Sequence, residues 1–315
     1  MNDPAAFVRE AVDKLRAEIP ERAIVAASGG IDSTAAALLA ERAVGERAEA
    51  VFVDTGLLRA GEVERVEGLF RASGLRFRTV PAEARFLAAL KGVSSPELKR
   101  RRIGREFISV FEEEAERIGA DRLVQGTIAP DWIESGGAGR DTIKTHHNVG
   151  GVPRTTRLRL VEPLRDLYKD EVRAVARELK VPDSDRQPFP GPGLAVRVQG
   201  ALTAERVRRA RVANRIVEEE VDRAVAAGTI RRPWQYFAVL LEGRTVGVTG
   251  DNRVFGEAVS VRAVESVDAM TATAMILPAE LLATISRRVT RELSGEVVRV
   301  LLDVTDKPPA TIEWE

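Results

Sequence analysis

Residues 24–34 carry the sequence Ile24-Val25-Ala26-Ala27-Ser28-Gly29-Gly30-Ile31-Asp32-Ser33-Thr34, in which an apolar run leads into two glycines and a helix-forming stretch. Glycines let the backbone approach a ligand closely and adopt positive φ. The hydroxyls of Ser28, Ser33 and Thr34 can donate to phosphate oxygens, and the start of the helix offers free N–H groups and a positive dipole end. The stretch therefore predicts a strand, a glycine turn and a helix that form an anion-binding nest.

Asp32 is the unexpected member of this stretch, because a carboxylate repels phosphate. Its presence is explained if it holds Mg2+ between itself and bound phosphates, a common arrangement for this ion. The alternative is a plain glycine turn with Asp32 as a helix cap. The chain has neither the Gly-Lys-Ser/Thr of a Walker loop nor a G-x-G-x-x-G fingerprint, so those phosphate-binding loops are excluded.

Composition excludes several other kinds of chemistry. The chain of 315 residues has no cysteine and only two histidines, the adjacent His146 and His147. Disulfides, thiolate zinc sites, iron–sulfur clusters and cysteine nucleophiles are therefore excluded, and a Ser-His-Asp triad has almost no material. Chemistry must depend on carboxylates, lysine, arginine and backbone amides, with Mg2+ as the expected metal.

Charge and hydropathy patterns indicate a cytoplasmic protein. Basic and acidic residues balance at 48 each, so the whole chain has no net attraction to nucleic acid or to an anionic membrane. No apolar run reaches the roughly 18 residues that a membrane span needs, and the sequence does not start with a signal-peptide pattern. We expect neither nucleic acid nor a membrane as a partner.

The first part of the chain alternates short apolar strands with helices, which predicts a doubly wound, mostly parallel α/β sheet. The predicted strands cover residues 23–27, 50–53, 75–80 and 122–125, and the predicted helices cover 4–19, 33–43, 62–72, 97–118 and 168–179. Ligands of such sheets bind at the carboxyl ends of the strands. Asp54, Gly126 and Thr127 fall at such ends, as does the nest.

Two breaks divide the remainder of the chain. Residues 128–157 are rich in glycine, contain both histidines and lack periodicity, which is typical of a lid or binding loop. The run Phe189-Pro190-Gly191-Pro192-Gly193 is the strongest break and predicts domains of residues 1–187 and 188–315. The second domain has predicted helices at 203–227 and 278–292 and predicted strands at 235–241, 245–249, 258–264 and 297–304, which indicates a small α+β fold.

Several strings resemble GMP synthetase, a family of the N-type ATP pyrophosphatases with an adenine nucleotide hydrolase-like fold. They are Ser28-Gly29-Gly30-Ile31-Asp32-Ser33, Val53-Asp54-Thr55-Gly56, Gln125-Gly126-Thr127, Lys144-Thr145-His146-His147-Asn148-Val149-Gly150-Gly151, Glu162-Pro163-Leu164, Phe189-Pro190-Gly191-Pro192-Gly193 and the tail from Lys307 to Glu315. The resemblance covers nearly the whole chain, and the His-His-Asn-Val-Gly-Gly string and the tail are its most specific parts.

The resemblance implies ATP-dependent amination of XMP to GMP through an adenylyl-XMP intermediate, with release of AMP and pyrophosphate. It implies ATP binding by Ser28, Gly29, Gly30, Ile31, Asp32, Ser33, Thr34, Asp54, Arg59, Gly126 and Thr127, with Asp32 on Mg2+. It implies XMP binding by Arg100, Arg101, Lys307, Thr311, Ile312 and Glu313. Lys144, His146 and His147 of the lid join Asp32 as candidate catalytic residues.

Many members of the family carry a glutamine amidotransferase domain that needs a cysteine, and this chain has none. The chain resembles the separate synthetase subunit of the split archaeal enzyme, which implies ammonia supply by a partner amidotransferase subunit. The resemblance also implies a homodimer through the second domain. Two alternatives remain open at this point: a tRNA-thiolating enzyme of the same superfamily and a non-catalytic module that binds adenine nucleotides.

Overall fold

A computed structural model describes residues 3–129, 157–182, 186–267 and 269–315. Its contacts divide the chain into two compact units. The first unit comprises residues 1–56, 61–89 and 100–185, and the second comprises 57–60, 90–99 and 186–315. Two short segments from the first half of the chain therefore belong to the second unit, a feature that a single boundary at residue 187 does not describe.

The first unit contains a five-stranded parallel sheet with the order β3-β2-β1-β4-β5. The strands are β1 (Ala23–Ala26), β2 (Ala48–Asp54), β3 (Phe77–Pro81), β4 (Arg122–Val124) and β5 (Arg159–Val161). The helices are α1 (Pro4–Glu18), α2 (Ile31–Val44), α3 (Glu62–Ala72), α4 (Glu83–Leu90), α5 (Pro96–Ile118) and α6 (Lys169–Glu178), of which residue 90 of α4 and residues 96–99 of α5 belong to the second unit. The predicted parallel α/β fold is confirmed.

The strand order reverses between β1 and β4, which makes this the topological switch point of the sheet. At such a point the two neighbouring connections leave toward opposite faces, so a crevice opens at the carboxyl ends of the strands. The nest follows β1, and Gly126 and Thr127 follow β4. Both groups of predicted ligand-binding residues therefore lie on adjacent strands at the switch point.

Two elements of this unit were not predicted, and helix α2 begins earlier than predicted. Helix α4 and strand β5 were not predicted, and β5 has only three residues, too few to show a period of two. Helix α2 begins at Ile31 instead of Ser33, because Gly30 adopts an extended N-cap conformation with φ −78° and ψ 160°. Asp32 therefore lies in the first turn of the helix, where a carboxylate is favoured by the helix dipole.

The second unit is a small α+β fold built on one long strand, β8 (Asn252–Glu265). This strand pairs antiparallel with β6 (Gln235–Leu240), β7 (Thr245–Thr249) and β9 (Thr273–Ala274), and parallel with β10 (Val297–Asp303). Its long helices are α7 (Ala204–Ala226), which packs on β6, and α8 (Ala279–Glu292), which packs on α7 and β10. The α+β prediction is confirmed.

Among the described residues, no helix is long and apolar enough to cross a membrane.

Candidate active site

The turn between β1 and α2 is held in shape by its own hydroxyl groups. Ser33 Oγ accepts from the Ser28 amide at 3.1 Å and lies 3.0 Å from Ser28 Oγ. Ser33 and Thr34 both donate to the Gly30 carbonyl, at 3.1 Å and 2.8 Å. Gly30 has no side chain with which to cap α2, so the first amides of the helix are left for a ligand. Ser28 and Gly30 are exposed, which makes the nest accessible.

Two glycines at the nest are required by close approaches. Gly29 has a φ of +75°, and a Cβ at this position would lie 2.4 Å from Val66 Cγ2. A Cβ on Gly126 would lie 2.8 Å from the backbone of Asp32 and Ser33. The end of β4 therefore packs directly on the first turn of α2, and only glycine allows this contact.

Thr127 carries the clearest sign of a ligand beside the nest. The residue is 6% exposed, and its hydroxyl has no hydrogen-bond partner among the residues that the structure describes. Leaving a buried hydroxyl unpaired costs about 1–3 kcal/mol. The unpaired hydroxyl of Thr127, next to the anion nest, is explained if it donates to a ligand oxygen.

Lys169 contacts a predicted site residue and was not itself predicted from the sequence. It is the first residue of α6, and its ammonium donates to both carboxylate oxygens of Asp32, at 2.8 Å and 2.6 Å. The helix dipole disfavours a cation at a helix N-terminus, so helix stability does not explain a lysine at this position. That unfavourable position was the signal in the sequence that could have identified it.

The remaining predicted ATP-binding residues fall in different units. Asp54 ends β2 in the first unit, and its Oδ1 accepts from the Gly56 amide at 3.0 Å. Arg59 belongs to the second unit, where it is buried, lies 3.5 Å from a carboxylate oxygen of Glu218 and stacks 4.5 Å above the ring of Phe189. Burial raises the pKa of Glu218 even though Arg59 opposes the shift. The role of Arg59 toward ATP stays a prediction.

The lid residues Lys144, His146 and His147 lie outside the described residues. Arg100 and Arg101 lie in α5 and belong to the first unit, with Arg100 half-buried and Arg101 exposed. Their predicted contact with XMP is not tested by these positions. The neighbouring Lys99, by contrast, belongs to the second unit and is fully buried.

The segment of residues 307–315, called here the tail segment, is tied to the second unit by backbone and side-chain bonds. Lys307 pairs with Ala272 through both backbone groups, and its ammonium donates to the Ala269 carbonyl at 2.7 Å. The guanidinium of Arg262 donates to the carbonyls of Thr311 and Ile312, at 3.0 Å and 2.9 Å. The side chain of Ile312 packs in an apolar cluster with Phe237, Val239, Val264 and Ala272. Of the predicted XMP residues in this segment, Thr311 is exposed.

Two glutamates of the tail segment bind buried cations. Glu313 accepts from Arg197 through both oxygens, at 3.1 Å and 2.9 Å, and from Gln235 at 2.8 Å. Glu315 pairs with Lys99, which also donates to backbone carbonyls. Burial lowers the pKa of Lys99 and raises the pKa of Glu315, in each case against the opposing charge of its partner. Glu313 is a predicted site residue, whereas Lys99 and Arg197 were not predicted from the sequence.

The run Phe189-Pro190-Gly191-Pro192-Gly193 explains how Arg197 reaches its buried position. Gly193 has a φ of +64°, and a Cβ there would lie 2.4 Å from the Leu57 carbonyl, which accepts from the Leu194 amide at 2.7 Å. The 3-10 turn Gly193–Arg197 follows this glycine. The side chain of Arg197 then donates to Asn214 at 3.0 Å and lies over the ring of Phe237 at 4.2 Å.

Residues 219–314 match the family model described as the GMP synthase C terminal domain. The chain is 56% identical to the B-subunit of GMP synthase (glutamine-hydrolyzing) of Pyrococcus furiosus, over 98% of this chain and 97% of that protein. It is 54% identical to the B-subunit of the same enzyme in Methanocaldococcus jannaschii, over 100% of both chains. It is 55% identical to GMP synthase (glutamine-hydrolyzing) of Aeropyrum pernix, over 99% of this chain and 61% of that longer protein.

These relatives support the first interpretation of the sequence and give no support to a tRNA-thiolating enzyme or a non-catalytic module. The match to the Methanocaldococcus jannaschii protein covers the whole of both chains. The chain therefore belongs to the B-subunit family of the glutamine-hydrolyzing GMP synthases, which are ligases.

Proposed function

We propose that this chain uses ATP to convert XMP to GMP and releases AMP and pyrophosphate. The anion nest at the start of α2 carries this proposal, because its uncapped amides, exposed Ser28 and buried Thr127 hydroxyl suit a polyphosphate. In the first step, the xanthine O2 of XMP attacks the α-phosphorus of ATP, and pyrophosphate leaves. In the second step, ammonia attacks C2 of the adenylated base, and AMP leaves with the former O2.

The nest assists the first step by binding the leaving pyrophosphate. Charge that develops on the bridging oxygen is stabilised by fixed amides at the helix start, which need no reorganisation during the reaction. Gly126 closes one side of the nest, and the Thr127 hydroxyl supplies a further donor. Because phosphoryl and nucleotidyl transfer need little covalent participation from the protein, positioning and charge stabilisation are the main tasks of these residues.

Asp32 suits Mg2+ because its carboxylate lies in the first turn of α2 and already binds a cation, the ammonium of Lys169. A bound Mg2+ would supply charge neutralisation for the phosphates. The ammonium of Lys169 would then bind a phosphate oxygen in place of Asp32. Lys144, His146 and His147 are proposed to contribute proton transfer or charge neutralisation to the same reaction.

XMP is proposed to bind at the tail segment of the second unit. Arg100 and Arg101 of the first unit remain candidates for its phosphate. Lys307 offers an ammonium on a segment that the second unit holds in place. The exposed Thr311 offers a hydroxyl oxygen as acceptor, since its proton is donated to the Glu313 carbonyl. Glu313 is the candidate acceptor for a purine N–H, and Arg197 and Gln235 orient its carboxylate. Ile312 contributes through its buried side chain, which anchors its neighbours.

Ammonia is proposed to come from a separate glutamine amidotransferase subunit. Two facts support this source: the relatives are named as the B-subunit of a glutamine-hydrolyzing enzyme, and the chain has no cysteine for glutamine hydrolysis. A cytoplasmic location remains the expectation for such a biosynthetic step.

A homodimer through the second unit is also proposed. Val246, Val248 and Phe255 are exposed on the β7–β8 hairpin, and Val246 lies directly opposite Phe255. The other face of this hairpin packs on Val298, as the close approach of Gly247 and Gly256 requires. An exposed apolar face on a hairpin is typical of a subunit contact. Val248→Glu should convert a dimer to a monomer in light scattering, and a wild-type chain that is monomeric at high concentration would refute the dimer.

The purified chain, mixed with ATP, Mg2+, XMP and an ammonium salt, tests the proposed reaction directly. AMP and GMP should appear in equal amounts, and AMP should require XMP. Glutamine in place of ammonium should yield no GMP until an amidotransferase subunit is added. Absence of AMP at high ammonium would refute the reaction, and GMP formation from glutamine by this chain alone would refute the separate source of ammonia.

A further inference from the structure

Three fully buried cations of the second unit converge on the tail segment. Arg262 binds its backbone at Thr311 and Ile312, Arg197 binds Glu313, and Lys99 binds Glu315. All three cations have 0% exposure. Within five residues, the segment therefore receives three separate charged attachments from parts of the chain that are distant in sequence.

Lys99 has every donor of its ammonium satisfied. Its three acceptors are the Val198 carbonyl at 2.6 Å, the Ala195 carbonyl at 3.3 Å and the carboxylate of Glu315. The other oxygen of that carboxylate accepts from the Gly200 amide at 3.1 Å. The pair therefore connects α5, the turn at residues 195–200 and the tail segment at a single point.

Arg197 fixes Glu313 with equal completeness. Its guanidinium forms the two-bond fork with the carboxylate, and the remaining nitrogen donates to Asn214. Asn214 is itself held by the backbone of Ala238, which donates to its oxygen at 3.1 Å. A forked arginine–carboxylate contact restrains direction as well as distance, so the orientation of Glu313 is set from β6 and α7.

Burial of these charges is a poor way to gain stability. Taking an ion out of water costs several kcal/mol, and apolar residues of similar volume are often as stable as a buried ion pair. Such pairs can instead select one arrangement of the groups they join. The tail segment is short and has a single buried apolar anchor, Ile312, so its geometry depends on these charged contacts.

We propose that Lys99 and Arg197 are positioning residues for XMP, which act by holding Glu315 and Glu313 so that the tail segment keeps its binding conformation. This inference rests on the proposed function, in which the segment contacts XMP. Lys99 therefore affects the affinity for XMP, in addition to any effect of Arg100 and Arg101. Binding of ATP at the nest of the first unit is independent of the pair.

The first test compares Lys99→Met with the double variant Lys99→Met/Glu315→Gln. The single variant should raise the KM for XMP about tenfold while the KM for ATP stays within about twofold. The double variant removes both buried charges, so its melting temperature should recover toward wild type while its KM for XMP stays high. Recovery of both quantities together would show that the pair acts only through stability and would overturn the proposal.

Glu220→Gln is the matched control, because this buried carboxylate of the same unit is bound by Arg223 and Arg288 and not by the tail segment. It should lower the melting temperature without a change in the KM for XMP. Arg197→Lys retains the charge but not the fork, and it should give an intermediate KM. An equal rise in the KM for XMP in Glu220→Gln would also overturn the proposal.

A readout without turnover separates this inference from the proposed function. Carboxypeptidase digestion followed by intact mass should release tail residues faster from Lys99→Met than from wild type, and XMP should slow the release in wild type. If wild type forms no AMP with XMP, the proposed function fails and the inference falls with it. If wild type is active and the folded Lys99→Met or double variant keeps the wild-type KM for XMP, only the inference fails.

Discussion

Lys169 and Asp32 form a two-bond ion pair at the entrance of the nest, with the ammonium 2.8 Å and 2.6 Å from the two carboxylate oxygens. The side chains are 47% and 25% exposed, so solvent screens the pair and its contribution to folding is small. A lysine at a helix N-terminus also meets the positive end of the dipole. The contact is therefore better explained by the ligand site than by stability.

We expect Lys169→Met to lower kcat/KM for ATP by about 10- to 100-fold while the free energy of unfolding changes by less than about 0.5 kcal/mol. The reason is that the variant removes a cation that offsets the charge of Asp32 and of bound phosphate. Steady-state kinetics and urea unfolding measure the two quantities. Lys14→Met, at the exposed Lys14–Glu18 pair of α1, is the control and should change neither. Wild-type kcat/KM in Lys169→Met would remove Lys169 from the site.

Gly126→Ala should abolish tight ATP binding. The added Cβ would lie 2.8 Å from backbone atoms of Asp32 and Ser33, and backbone cannot move aside as a flexible side chain can. The first turn of α2 should shift, which disrupts the nest. Gly68→Ala is the control, since Gly68 lies inside α3 with open space around the new Cβ, and it should add about 0.5–1 kcal/mol of stability. Calorimetric titration with ATP tests both, and unchanged affinity in Gly126→Ala would contradict the contact.

Thr127→Val should separate binding from folding. The substitution keeps the shape of the side chain and removes a buried hydroxyl that has no partner among the described residues. The free energy of unfolding should therefore stay the same or rise by about 1 kcal/mol. The affinity for ATP should fall several-fold, because the valine side chain cannot form the hydrogen bond that the hydroxyl is proposed to donate to ATP. A variant that is less stable but binds ATP normally would show that the hydroxyl serves the fold.

The nest could be predicted from sequence because its elements are contiguous. A buried strand, two glycines, hydroxyls and a helix start follow one another within eleven residues, and local physics determines their arrangement. Alternation of strands and helices predicted the parallel sheet for the same reason, and it located Gly126 and Thr127 at the ends of strands. The contact of Gly126 with Asp32 could be inferred once the strand order was known, because β1 and β4 are neighbours in the sheet.

The contacts that sequence reasoning missed join residues far apart in the chain. Lys169 reaches Asp32 across 137 positions, and Lys99 reaches Glu315 across 216. Nothing in the run Lys99-Arg100-Arg101-Arg102 distinguishes the first residue, yet Lys99 is fully buried whereas Arg101 is exposed. Charged residues in a run on a helix are normally solvated, so only the packing of the second unit could identify Lys99 as the buried member of this run.

Asp303 and Glu315 should respond to acid in opposite directions. Burial raises the pKa of Asp303, but bonds from Thr305, the charge of Arg262 and a bond from Trp314 outweigh it and bring the pKa below its ordinary 3.8. This carboxylate adds stability above pH 3.8, which is lost as the pH falls through the lowered pKa. Burial raises the pKa of Glu315 above 4.5, so its folded state binds the proton more tightly. Its contribution is greatest below pH 4.5 and is lost as the pH rises through the raised pKa.

Urea unfolding of wild type, Asp303→Asn and Glu315→Gln, in steps from about pH 3 to about pH 8, measures both contributions as differences from wild type. The stability difference between wild type and Asp303→Asn should shrink as the pH falls below 3.8. As the pH falls toward 4.5, the free energy of unfolding of wild type should instead rise relative to that of Glu315→Gln. Two differences that change in the same direction would mean that the charge of Lys99 dominates the burial of Glu315. In that case Lys99 and Glu315 stabilise the fold as a charged pair, and the expected recovery of stability in Lys99→Met/Glu315→Gln would not occur.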